Sequence, residues 1–347
     1  MTDGTPGVTN PRSPITPTGD GTHVSTGTLP RIEQVRALIA EAYQRFREDS
    51  EGRIADYIPA LAEADPSLFG ICVASTRGDF VAVGDADRAF SIQSVSKPFA
   101  FALVCDTLGP AKAAALLGVD ATGLPFNSVM SVELRPDHTS NPMVNSGAIA
   151  TTSLIPGATA QERWDNVRSG LSRFAGRSLE VDERVYQSET ATNERNEGIA
   201  HLLRGYARVY CDPDEATDVY TRQCSLLVSA RDLAAMGATL AGGGINPLTG
   251  ERVVSARTCR HVLAVMATAG LYERSGDWLY DIGLPGKSGV SGHIVTVAPG
   301  KGAVATFSPR LDASGNSVRG RLATRFLSER LGLDLFASAP TAVATDR

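Results

Sequence analysis

A chain of 347 residues with 42% hydrophobic side chains is long enough for one large domain or two ordinary ones, with a substantial core. A formal net charge of −5, with no basic stripe, argues against a nucleic-acid binder. Five cysteines without CxxC spacing and five histidines without HxxxH or HExxH spacing give no disulfide framework and no metal site, so neither is expected. Only four of the 33 basic residues are lysines, namely Lys97, Lys112, Lys287 and Lys301, so a catalytic lysine must be one of four.

Residues 1–30 are rich in Gly, Pro and Thr and lack an apolar h-region, which predicts a disordered tail rather than a signal peptide or anchor. No run approaches 18 apolar residues, so no membrane span is expected, and cytoplasmic residence is the default. Ile32, Val35, Leu38, Ile39, Ala42, Tyr43 and Phe46 recur at helical spacing. Phe69 to Ala74 and Phe80 to Val83 read as strands around a Thr76-Arg77-Gly78-Asp79 turn. A short apolar segment, Phe90-Ser91-Ile92, leads to a helix predicted from Ser96 to Leu108, ended by Gly109.

The middle is mainly helical. Trp164, Val167, Leu171 and Phe174 mark one helix, stopped by Gly176. Ile199, Leu202, Leu203, Tyr206, Val209 and Tyr210 mark another. Ser229 caps a third, and Ser255 opens a fourth. Beyond Gly283, His293 to Ala298 and Ala303 to Phe307 read as strands joined by Pro299-Gly300-Lys301-Gly302, and a last helix runs from about Ser317 to Leu331. Residues 337–347 read as a second tail. The order predicts an α+β fold: residues 31–93 and 280–336 form an antiparallel sheet lobe with terminal helices, and residues 94–279 a mainly helical lobe inserted in it. A site is expected in the cleft between them.

Ser94-Val95-Ser96-Lys97 is an S-x-x-K. On a helix, residues three apart share a face, so the Lys97 amine can lie beside the Ser94 hydroxyl. A serine hydroxyl is a weak nucleophile until a base takes its proton, and a lysine serves only if its pKa is lowered. Ser94 also stands where a strand gives way to a helix, so its N–H can contribute to an oxyanion hole. Alone, the motif fits a helix N-cap and a solvated lysine equally well. Lys287-Ser288-Gly289-Val290 adds a lysine–hydroxyl–glycine strand of the kind that lines the cleft of S-x-x-K acyl enzymes, and the Val290 N–H can be the second oxyanion donor.

Asn141-Pro142-Met143-Val144-Asn145-Ser146-Gly147-Ala148-Ile149 then resembles the signature segment of the β-lactamase-like glutaminases. Ala55-Asp56-Tyr57-Ile58-Pro59, Gln93 to Pro98, Gln187-Ser188-Glu189, Asn193-Glu194-Arg195-Asn196, Tyr220, Leu240 to Gly244, Gly270-Leu271-Tyr272 and Leu284 to Val290 follow the same pattern in order, over about residues 31 to 335. The resemblance implies a β-lactamase/transpeptidase-type fold, Ser94 as nucleophile and Lys97 as its partner. It implies that Ser94, Asn145, Glu189, Asn196, Tyr220, Tyr272 and Val290 contact L-glutamine, and that Tyr57 lies close to the nucleophile. It further implies a homo-oligomer, dimer or tetramer, with no cofactor.

The residue types suit that ligand. Glu189 is a charge partner for an α-ammonium, while Asn145, Asn196 and a tyrosine hydroxyl can donate to an α-carboxylate. Glu189 and Asn196 share a face if their segment is one helix. Tyr272 or Tyr57 can relay a proton to leaving ammonia. Ala60 departs from members with a polar residue there, and Ser288 replaces the threonine of penicillin-binding relatives while keeping the hydroxyl. Two alternatives stay open: a β-lactamase or D-alanyl peptidase on the same fold, and a non-catalytic glutamine-binding protein.

Overall fold

The structure, a computed structural model, describes residues 30–337. Both predicted tails, but for Pro30 and Ala337, lie outside those residues. Helix α1 (Ile32–Phe46) turns Val35, Leu38, Ile39 and Ala42 inward, as its apolar spacing requires. A short α2 (Pro59–Ala62) and strands β1 (Gly70–Ser75), β2 (Phe80–Gly84) and β3 (Phe90–Ser91) follow. Next come α3 (Lys97–Leu108), α4 (Pro110–Leu117), α5 (Met130–Glu133), α6 (Asn145–Ser153) and α7 (Ala160–Ala175). After these lie α8 (Glu183–Thr190), α9 (Glu194–Gly205), α10 (Pro213–Cys224), β4 (Leu227–Val228), α11 (Ala230–Ala241) and α12 (Ala256–Ala269). The chain closes with α13 (Ser275–Ile282), β5 (Gly286–Ser288), β6 (His293–Ala298), β7 (Gly302–Phe307) and α14 (Val318–Leu331).

The main sheet is antiparallel, in the order β2-β1-β7-β6-β5. One face carries α1 and α14, packed on Ile71, Ile294 and Val304. The other carries α11, whose Leu233 and Met236 lie in one core with Val295, Val297, Ala303 and Ala305, and whose Gly237 faces Ala303 and Val295 directly. With both faces covered, β6 and β7 are buried throughout, which explains their continuous apolar character. α11 comes from the middle of the chain, so the inserted helices supply one wall of the sheet. It starts at a capping box in which Ser229 and Asp232 satisfy each other's backbone N–H groups.

Two readings change. The helix marked by Ile199 ends at Gly205, not at Tyr210. Ala207 turns to a φ of +54° and the Arg208 N–H closes on the Leu203 carbonyl. Beyond that end Val209 is buried and Tyr210 is half-buried with its hydroxyl on the Leu116 carbonyl, so their apolar character had a different cause. Glu189 and Asn196 lie on separate helices, α8 and α9, with residues 191–193 as a break between them.

Arg319 is 2% exposed, yet its guanidinium is well bonded. It donates to the carbonyls of Arg47, Pro66, Ser67 and Leu68 and to Ser308 Oγ, tying α14 to the segment that enters β1.

Candidate active site

β3 ends two residues before a 3-10 turn, Gln93–Ser96, which runs directly into α3. That turn presents Ser94 at its edge and buries Lys97 at the start of the helix. Lys97 Nζ lies 3.0 Å from Ser94 Oγ and donates to Asn145 Oδ1 at 2.7 Å. Lys97 is 1% exposed, and burial brings its pKa down to about 8, against the pull of Cys224 and Glu189.

A second buried lysine faces the same space. Lys287 Nζ donates to the Ser288 carbonyl at 2.7 Å and sits 4.2 Å above the centre of the Tyr272 ring. Burial, then the nearness of Lys97, holds Lys287 well below the ordinary lysine range. The Tyr272 hydroxyl donates to the same carbonyl at 3.2 Å. Burial pushes Tyr272 up to about 12, opposed by contacts with Ser94 and Ser288. β5 closes against the Ser94 turn at Gly289, where an added Cβ would stand 3.0 Å from Val95 Cγ2. Val290 follows at once, packed with Ala55, Ile58 and Leu61. Among the described residues, neither the Ser94 nor the Val290 N–H donates to a backbone carbonyl.

Asn145 opens α6. The helix can sit so close to the preceding turn because residue 147 is glycine; a Cβ there would lie 2.0 Å from the Asn141 carbonyl oxygen. Asn145 Nδ2 donates to Asn196 Oδ1 at 3.0 Å, and Asn196 Nδ2 to Asn193 Oδ1 at 2.7 Å. The Tyr220 hydroxyl donates to Asn145 Oδ1 at 3.3 Å. Glu189 Oε2 accepts from Gln93 Nε2 at 3.2 Å. Burial raises the Glu189 carboxyl to about 7, with Gln93 and Lys97 opposing the rise. Tyr57 precedes α2 and is 53% exposed as a residue. Desolvation, then the nearness of Tyr272 and Glu189, raises its pKa well above the ordinary tyrosine value.

All nine residues singled out in the sequence thus belong to one cluster. The structure adds members that sequence reasoning did not select: Gln93, Asn193 and Cys224, and Lys287 as a participant rather than a flank. Gln93 had a signal in its place next to Ser94; Asn193 and Cys224 had none beyond the segments they fall in. The described residues hold no group of His, Cys, Asp or Glu able to bind a metal ion. A 560 Å³ hollow lined by Arg168, Arg173 and Arg177 shares no residue with the cluster.

An antiparallel sheet walled by helices, with a serine–lysine pair facing a lysine-bearing edge strand, defines a β-lactamase-like hydrolase fold. Within that class the assignment is specific, since the glutaminase sequence profile matches residues 52–336, and the chain belongs to the glutaminase family. It is 60% identical over 318 residues to "Glutaminase 2" of Yersinia pestis, covering 92% of this chain and 94% of that one. Among solved structures it is similar to the probable glutaminase ybaS, with a TM-score of 0.87, 43% identity, and coverage of 88% of this chain and 99% of that one. A probable glutaminase from Bacillus subtilis, solved in complex with 6-diazo-5-oxo-L-norleucine, superposes with a TM-score of 0.78 at 28% identity, covering 88% of this chain and 97% of that one.

Proposed function

We propose that this chain hydrolyses the side-chain amide of L-glutamine to L-glutamate and ammonia through an acyl-enzyme on Ser94. The observation that carries the reading is the Lys97–Ser94 contact at 3.0 Å, made by an amine whose pKa burial has lowered to about 8. A neutral Lys97 takes the Ser94 proton as Oγ attacks the side-chain carbonyl carbon. The N–H groups of Ser94 and Val290 hold the oxyanion. Collapse of the tetrahedral adduct breaks the C–N bond, and the amide nitrogen leaves as ammonia with a proton relayed through Tyr272. Water then attacks the ester, glutamate departs, and the proton returns to Ser94. Glu189 pairs with the α-ammonium, and Asn145, Asn196 and Tyr220 take the α-carboxylate. Tyr57 covers the site from the solvent side. Lys287 adds positive potential near the reacting atoms whenever it is charged.

Ammonia release from glutamine, with asparagine and a penicillin as parallel substrates, tests the proposal. Turnover of glutamine is expected to dominate. Glutamine binding without ammonia release would leave a binding protein, and faster penicillin cleavage would leave a β-lactamase. A cytoplasmic homo-oligomer belongs to the same reading. The exposed Val129, Met130 and Leu134 support the oligomer, and light scattering on the purified chain checks its order.

A further inference from the structure

Gln93 precedes Ser94 and holds a φ of +49°. Residues with a side chain rarely keep that left-handed conformation unless their surroundings impose it. Here the surroundings form a buried thread of side chains that reaches α10. Ser96 Oγ donates to the Gln93 carbonyl at 2.8 Å. A hydroxyl has one proton, so that bond requires Ser96 to accept at its other contacts, with Gln223 and Cys224. Gln223 on α10 meets the requirement, since its Nε2 donates to Ser96 Oγ at 2.9 Å. The Thr152 hydroxyl on α6 donates to the Ala148 carbonyl at 3.0 Å and stands 3.4 Å from Gln223 Oε1, beside the thread. Ser96 and Thr152 are 0% and Gln223 1% exposed, and none of the three is assigned a contact with glutamine.

We propose that Gln223 and Ser96 are positioning residues: they fix the direction of one hydroxyl proton, hold the left-handed turn at Gln93, and thereby aim the Gln93 amide at Glu189 for recognition of the substrate ammonium. The proposal rests on the role given to Glu189 above. Glu189 is faced by Lys97 from α3, by Tyr220 and Cys224 from α10, and by Tyr57 from the segment before α2. Of these only Lys97 can be a cation. The Gln93 amide is the neutral donor that favours the ionised carboxylate against the burial that disfavours it. When the turn relaxes, that donor is lost, more Glu189 is protonated at neutral pH, and the ammonium meets an uncharged acid.

A carbon-13 carboxyl titration of the ligand-free enzyme, with the Glu189 signal assigned by Glu189→Gln, reads this directly. Ser96→Ala and Gln223→Leu should each raise the Glu189 midpoint by about half a pH unit or more. Each should also raise KM for glutamine at pH 7 by about threefold or more, with a smaller effect at pH 9. The double variant should shift no further than the larger single, because both act through one thread. Gln223→Glu offers Ser96 an acceptor instead of a donor and should shift in the same direction. If Gln223→Leu fails to fold, Ser96→Ala, which deletes one oxygen, decides the matter. An unmoved midpoint in Ser96→Ala and Gln223→Leu, while Gln93→Leu moves it, overturns the thread and leaves the Glu189 reading intact. A raised midpoint with unchanged KM upholds the thread and removes Glu189 from ammonium recognition.

Discussion

Two buried ionisable groups each set a protonation condition on the same site. In the proposed mechanism Lys97 acts as a base only when neutral, above its pKa of about 8, and Glu189 pairs with an ammonium only when ionised, above about 7. Both conditions improve in the same direction, so kcat/KM for glutamine should climb as pH rises through 7 and 8. A flat profile between pH 6 and 9 would remove Lys97 from the role of base. Lys97→Arg should be nearly inactive at every pH in that range, because a guanidinium does not deprotonate there. Ser94→Ala should lose turnover while isothermal titration still detects glutamine, since the proposed mechanism assigns the α-groups to other residues. The proposed pairing of Glu189 with the ammonium would be a charge-assisted hydrogen bond of roughly 1.5–3 kcal/mol, so Glu189→Gln should cost about tenfold to a hundredfold in kcat/KM. N-acetylglutamine lacks the ammonium, so the variant should lose little further on that substrate. Equal losses on both substrates would make Glu189 structural. Much of this site was legible, since Ser94, Lys97 and the glycine strand after Lys287 carry their chemistry in their spacing. Gln93 was marked only by its place next to Ser94, because its contribution depends on a positive φ that a glutamine does not advertise.

At the scale of elements, legibility followed the strength of local signals. α11 and α14 begin at side-chain caps, Ser229 and Ser317, and both were found. β3 and β4 pair over only two residues each, too short for alternation to register. The α9 end was overrun because Val209 and Tyr210 keep the helical rhythm after the helix has stopped. α6 shows how an element aims a side chain. It approaches the carbonyls of Ser140 and Asn141 so closely that only a glycine fits at position 147. Gly147→Ala must push the helix start outward, carrying Asn145 off Lys97. Overpacking of this kind costs about 1–3 kcal/mol or more. Calorimetry should show a lowered Tm, and kcat should fall further than stability alone explains. A fully active Gly147→Ala enzyme would mean that α6 is not what places Asn145.

Across the whole molecule, the two ends of the described chain close one face of the sheet, and Arg319 secures them. The strands at both ends of the sequence were expected to pair into one sheet flanked by the terminal helices; the packing of α1 and α14 together on one face was not expected. The buried guanidinium was not, because one arginine among many gives no sign that carbonyls will converge on it. Arg319→Met keeps the bulk but leaves several buried carbonyls without donors, at about 1–3 kcal/mol for each one left fully unsatisfied. The Tm should drop by several degrees, and hydrogen exchange should rise first in α14 and the entry to β1. An unchanged Tm would show that water replaces the guanidinium at those carbonyls.

The scarcity of lysine has a practical consequence. Lys97 and Lys287 are 1% and 0% exposed, and Lys301 is 9% exposed and bonded to the Gly332 carbonyl. Lys112, on the outer side of α4, is exposed. The amine best suited chemically to attack an acylating reagent, Lys97, is therefore sealed from it, while the one within reach lies outside the reactive cluster. Brief treatment with an amine-reactive dye should label Lys112 ahead of every other lysine, as peptide mapping would show, and should leave turnover intact. The folded enzyme thus carries, among the described residues, a single exposed lysine for attachment to a bead or a surface.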